Sequence, residues 1–201
     1  MRKIRKENNA VITRELQNGS FRAVEGEGND RRFILSFSSE EPYERYAYTE
    51  ILDHADGAVD LMRLNDIGVL LFNHNRDKVL GKVIKAWISG SRGEAEVEFD
   101  DDADSEIIYQ KVKNKTLKAT SVSYRVESWE ELMPNKVSAD GKFQGPASIA
   151  RKWLPLEISV VSVPADATVG VGRSMQKLGM SRDSRSIFET QVTINKNKAR
   201  R

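Results

Sequence analysis

The chain has 201 residues, 39% of them hydrophobic and 31% charged, with a formal net charge of +2; that is enough for one domain with a real core, and it is not the composition of a wholly disordered chain. There is no cysteine, and the only histidines are His54 and His74, which excludes disulfides, a cysteine nucleophile and a His- or Cys-rich zinc site. No apolar run approaches the roughly 20 residues that span a bilayer, and the basic start MRKIRKENN leads into no apolar stretch, so neither secretion nor membrane insertion is expected.

The near-neutral total hides an asymmetry. From Arg173 onward eight Lys or Arg stand against Asp183 and Glu189, a net of +6, so the remainder carries −4. An acidic body with a basic tail argues against a folded nucleic-acid reader, whose positive charge would line one face. Contact with nucleic acid is expected only through that tail. Three regions follow: a flexible arm over residues 1–20, a folded body over 21–172, and a basic, disordered tail over 173–201.

In chain order, residues 10–16 of the arm could form a short strand. Residues 25–30, EGEGND, are turn material, and residues 33–37, FILSF, have the aromatic and branched content of a strand. Residues 48–64 mix short apolar stretches with Asp53, Asp56, Gly57 and Asp60, which suits a helical turn or two. Residues 68–72 form a buried-strand candidate that delivers the chain to Asn73 and His74. Residues 79–88 read as another strand and 89–93 as a Gly-containing hairpin loop. Residues 94–99, EAEVEF, alternate at period two as a half-buried strand should.

The acid run Asp100, Asp101, Asp102 and Asp104 can supply an N-cap for a helix carrying Ile107, Ile108 and Val112. A helix-loop-helix calcium site is the poorer reading, because counting from Asp100 puts Ser105 and Lys111 where Gly and Glu are required. No metal and no cofactor are expected. Residues 117–126 read as a strand, residues 127–152 as a long polar excursion loop, and residues 154–163 as a last strand ended by Pro164. Many short strands, two helices and no βαβ alternation point to a mainly β fold with some α, either an antiparallel barrel or an α+β arrangement.

Three segments hold candidate chemistry. His74 sits where an apolar strand emerges, and a histidine, with an unperturbed pKa of about 6.5, can take and return a proton near neutrality. Ser121 and Ser123 share one face of a strand, and either hydroxyl becomes a nucleophile if a base reaches it. Glu157 is a carboxylate within the apolar run LEISVV. It is either an edge residue facing water or a buried acid paired with an imidazole.

The stretches LLFNHN with LGKV behind it, then TSVSYRV, then LEISVVSVPA, resemble, in order and approximate spacing, the prohead protease family of tailed phages. That family is similar in fold to the herpesvirus assembly proteases, and the likeness covers residues 21–167. It implies an antiparallel β-barrel of the herpesvirus-protease type with a few flanking helices. It also implies a serine endopeptidase with His74 as general base, Ser121 as nucleophile and Glu157 as the acid. Ser123, which stands where the family usually has glycine, is the alternative nucleophile. His54 is the alternative third member, because the herpesvirus relatives use a second histidine. Oxyanion donors are sought at Arg125 or at a backbone amide of residues 127–152. The substrates implied are the major capsid protein, the scaffold and the protease itself. The setting implied is the host cytoplasm inside the assembling procapsid, with the enzyme enclosed there or homo-oligomeric. A noncatalytic assembly factor that keeps the fold is the rival reading.

Overall fold

A computed structural model describes residues 10–16 and 21–163. The basic tail and most of the N-terminal arm lie outside the described residues. The described part is mainly β, with ten strands and two helices, all within one unit spanning Met1–Ala165.

Strands β1 (Val11–Leu16), β2 (Arg22–Ala23), β3 (Arg32–Ser39), β4 (Tyr43–Glu44) and β5 (Thr49–Leu52) precede helix α1 (Met62–Ile67). Then come β6 (Val69–Phe72), β7 (Asn75–Ser89), β8 (Arg92–Phe99), helix α2 (Ala103–Lys113), β9 (Ala119–Leu132) and β10 (Ala147–Val161). The hydrogen-bonded order is β1-β9-β10-β6-β7-β8-β3-β2, with β5 also on β10 and β4 on β5. The sheet curls until the Thr120 hydroxyl of β9 donates to the Ser36 carbonyl of β3 at 2.7 Å.

This sheet corrects the barrel expectation, because it is mixed and its hydrogen-bonded path stays open. The 15-residue β10 is flanked on one side by β9 along most of its length and on the other by two short strands. Both of these, β5 and β6, run parallel to it. Two successive strands laid along one edge in the same direction, joined through α1, cannot give an antiparallel sheet.

The core fills the inside of the curl with Leu35, Phe37, Leu70, Val97, Phe99, Tyr124, Trp153 and Ile158, all at most 2% exposed. Helix α2 closes one end through Ile108, Tyr109 and Val112. Its N-cap is Asp102, whose carboxylate accepts from the Asp104 and Ser105 amides at 3.0 Å. The acid run therefore starts a helix, as its composition suggested. Gly81 adopts φ +155, and a Cβ there would lie 2.0 Å from the Glu98 carbonyl oxygen, so the LGKV stretch needs its glycine for β7 to approach β8.

The excursion expected over residues 127–152 is strand at both of its ends. β9 continues to Leu132 and β10 starts at Ala147, with Ala147 opposite Leu132, so only residues 133–146 are irregular. Its charges, read from sequence as loop polarity, are engaged. Arg151 contacts Asp53 and Asp140 at 2.7 Å and Glu130 at 2.6 Å.

His54 belongs to the core. Its Nδ1–H donates to the Leu52 carbonyl at 2.9 Å, which leaves Nε2 to accept from the Ser38 hydroxyl at 2.7 Å. Burial pushes its pKa from 6.5 down to about 4, so the native ring stays neutral. The unfolded chain binds a proton there below pH 6.5 that the native state refuses. Stability contributed by this residue is therefore complete above pH 6.5 and declines as pH falls toward 4, by about 3 kcal/mol. Denaturant unfolding across this window should show that decline in the wild type and a flatter dependence in His54→Gln.

Candidate active site

β6 and β7 are joined by a two-residue turn, Asn73 and His74, with φ +52 and +58. Two consecutive left-handed residues make a type I′ hairpin turn, for which asparagine is a favoured first residue and histidine is not. Contacts to the end of β10 hold the strained pair. The Asn73 amide N–H donates to the Val160 carbonyl at 2.9 Å, and its side-chain oxygen accepts from the Ser162 amide at 2.9 Å. The His74 amide N–H donates to Ser159 Oγ at 3.0 Å. The parallel pairing of β6 with β10, Leu70 opposite Ile158 and Phe72 opposite Val160, is what brings the turn to this place.

Ser121 and Ser123 project from one face of β9, while Thr120, Val122 and Tyr124 face the core. On β10 the phase changes along the strand. Trp153 and Pro155 pair with Val126 and Tyr124 of the inner face, but a bulge at residue 156 then sets Glu157 opposite Ser123 and Ser159 opposite Ser121. One extra residue turns the odd-numbered side chains from the core to the outer face and aims the carboxylate at the turn.

The three side chains meet. His74 Nδ1 lies 2.6 Å from Glu157 Oε1, and Nε2 lies 2.7 Å from Ser121 Oγ. An ionised carboxylate only accepts, so Nδ1 carries the proton and the neutral ring presents Nε2 as an acceptor to the Ser121 hydroxyl. Ser123 has different partners: its hydroxyl donates to Glu157 Oε1, and its oxygen is 3.2 Å from Nδ1, on the carboxylate side of the ring. Ser159 Oγ donates to Glu157 Oε2 at 2.8 Å. Burial opposes ionisation of Glu157, but the hydrogen bonds from His74, Ser123 and Ser159 and the attraction of His74 outweigh it, so its pKa falls below the ordinary value.

His54 is not part of this group, since both its ring nitrogens are engaged by Ser38 and Leu52. The stretch 127–152, where a donor amide was expected, starts on β9 six positions from Ser121, or roughly 20 Å at strand rise. Arg125 shares the outward face of β9 with Ser121 and Ser123 by alternation. Among the described residues no cluster of three or more His, Asp or Glu is arranged to hold a metal ion, and no helix is long and apolar enough to cross a membrane.

Sequence reasoning missed the parts played by Asn73 and Ser159, and it offered residues 10–16 as a short strand without placing that strand beside Ser121. Ser159 was findable, because it stands two residues after Glu157 and so shares its face. β1 brings the Arg14 carbonyl oxygen 3.1 Å from Ser121 Oγ and sets Glu15 opposite Ser121. Burial raises the Glu15 pKa, and the nearby His74 offsets part of that rise.

The clamp on the turn makes a local prediction. Asn73→Ala loses the bond to the Ser162 amide and places a less tolerant residue at positive φ, so unfolding should cost about 1–3 kcal/mol less than in the wild type. Equilibrium denaturation measures it.

Residues 50–181 match the family model described as Caudovirus prohead serine protease. The major capsid protein of Halomonas phage phiHAP-1 (isolate -/Gulf of Mexico/-/2001) is 34% identical over 146 residues, which are 70% of this chain and 23% of that protein. The chain thus spans less than a quarter of the length of this curated relative. No solved structure matches. With the family model covering well over half of its length, the chain belongs to the Caudovirus prohead serine protease family.

Proposed function

We propose that this chain is a serine endopeptidase that cleaves shell proteins of a phage procapsid, with Ser121 as nucleophile, His74 as general base and Glu157 as the acid that orients it. The observation that carries the reading is one imidazole in hydrogen-bond reach of a hydroxyl on one nitrogen and of a carboxylate on the other. His74 Nε2 takes the Ser121 proton as Oγ attacks the scissile carbonyl, and returns it to the leaving amine. Water then resolves the acyl-enzyme by the same route in reverse. Glu157 fixes the tautomer and balances the imidazolium. Ser123 and Ser159 hold Glu157 ionised and in place. Oxyanion stabilisation is required at the attacked carbonyl, and Arg125, on the same strand face, is the side chain available to test.

The substrates we assign are the scaffold, the N-terminal scaffolding segment of the major capsid protein, and the protease itself. Support comes from the family and from the relative, in which a region like this chain occupies part of a polypeptide named for the shell. Enzyme and substrate enclosed together inside the procapsid reach a high effective concentration. The relative's name also favours a second reading, a noncatalytic assembly factor that keeps the fold.

Coexpression with the major capsid protein, followed by intact masses of the shell proteins, separates the two. Trimmed shell protein with the wild type and full-length protein with Ser121→Ala support the enzyme; full-length shell protein in both overturns it. Two further variants grade the site. Glu157→Gln should cost about 10³–10⁴-fold in rate by losing the tautomer control. Ser123→Ala should cost only about tenfold, the worth of one hydrogen bond to a charged group. Complete loss in Ser123→Ala with activity kept in Ser121→Ala would exchange the two serines.

A further inference from the structure

The strand that covers Ser121 comes from the chain's own N-terminal part. β1 runs antiparallel along the outer edge of β9, with Arg14 opposite Val122 and Glu15 opposite Ser121. Ser121 is fully buried, and its single hydroxyl proton has two acceptors in reach, His74 Nε2 at 2.7 Å and the Arg14 carbonyl oxygen at 3.1 Å. An endopeptidase must admit a polypeptide here. An extended peptide binds most readily by adding to a sheet edge, where main-chain bonds give affinity and alternate side chains give specificity. The edge beside Ser121 is that of β9, and β1 occupies it.

Alternation sorts the occupant's side chains. Ile12, Arg14 and Leu16 stand opposite Tyr124, Val122 and Thr120, which are all fully buried, while Thr13 and Glu15 stand opposite Ser123 and Ser121. The Arg14 side chain is only 2% exposed. Its Nη2 donates to the Glu41 carbonyl, its guanidinium lies 5.2 Å from the Tyr43 ring centroid, and Glu50 and Tyr124 attract its charge.

The fit is incomplete. Nε and Nη1 of Arg14 have no hydrogen-bond partner among the described residues. Arg45 already holds Glu50 at 3.1 Å, and burial lowers the Arg14 pKa. Partly unsatisfied buried charge is costly, so β1 is an occupant that can be replaced.

We propose that β1 marks the substrate register: substrates add to the edge of β9 in its place, with an arginine in the Arg14 pocket on the acyl side of the scissile bond, and β1 competes with them. The proposal rests on Ser121 being the nucleophile. In this register Oγ bonds to the carbonyl carbon of the arginine while its proton passes to His74 Nε2. The bond to the next residue's nitrogen then breaks, and that amine leaves with the proton. Water takes the acyl group from Oγ.

Two readouts on the full chain test this. The first is the rate at which a fluorophosphonate labels Ser121. Thr13→Pro breaks the β1 ladder, and Ile12→Ser weakens its inner face without a proline should the first variant fail to fold; each should label about tenfold faster than wild type. Labelling no faster in either overturns the exchange. The second readout is the set of new C-termini that the faster variant generates from reduced casein. Predominance of arginine supports the pocket, and C-termini without basic bias remove it. Absence of labelling in all three proteins fells the enzyme reading itself, whereas equal labelling fells strand exchange alone.

Discussion

A carboxylate placed inside a sheet must be neutralised or hydrogen-bonded, and Glu157, with its side chain only 15% exposed, imposes that demand on everything around it. Left unpaired it would be protonated or would strain the fold. Here Oε1 receives His74 Nδ1–H and the Ser123 hydroxyl, and Oε2 receives the Ser159 hydroxyl. Satisfying the acid also fixes the ring. Once Nδ1 is committed to Glu157, Nε2 has no proton to offer and can only accept, which is the state a base needs when it faces a hydroxyl. A stability requirement and a catalytic requirement are thus met by the same three bonds.

Strand β10 makes that arrangement possible through its length and its one change of phase. Upstream of the bulge it contributes Trp153 to the core, with Nε1–H donating to the Asp53 carbonyl at 2.8 Å. Downstream it contributes Ile158 and Val160 to the same core while turning Glu157 and Ser159 outward. Without the extra residue Glu157 would share the inner face with Trp153 and Tyr124, turned away from Ser123 and His74. The parallel seat of β6 on β10 then sets where the Asn73–His74 turn emerges. The ring can reach the acid only because the strand that carries it runs alongside the strand that carries the acid.

Local pattern made much of this legible. The alternation in EAEVEF, the apolar runs at 33–37 and 68–72 and the acid run before Ile107 all became the elements they suggested, since each depends on neighbours a few residues away. The three motif segments identified the residues that meet at the site. What failed was long-range. Parallel pairing of β5 and β6 with β10 leaves no mark in short windows. The bulge hides in LPLE, where the apolar run continues across the change of face. Residues 127–132 and 147–152 read as loop because Glu127, Glu130, Glu131 and Arg151 looked solvated, and only the folded structure pairs Arg151 with Glu130, Asp53 and Asp140. His54 was a fair rival to Glu157 by residue type, and burial beside Ser38 and Leu52 removed it.

The covering of Ser121 by β1 gives a physical reason for confining such an enzyme. A strand of the same chain competes as an intramolecular ligand, and the effective concentration of such a ligand is on the order of millimolar when its link to the site is short. A free substrate at micromolar concentration is outcompeted unless it binds far more tightly. Inside a closed shell the substrate's own concentration rises toward that of the tethered strand, and the balance shifts without any change in the protein. The half-satisfied guanidinium of Arg14 then acts as a tuning element. A better-paired side chain would hold β1 against any substrate, and an apolar one would stay docked without the cost of a buried charge. On the strand-exchange reading, the imperfect seat is what lets crowding, rather than a separate activator, expose the serine.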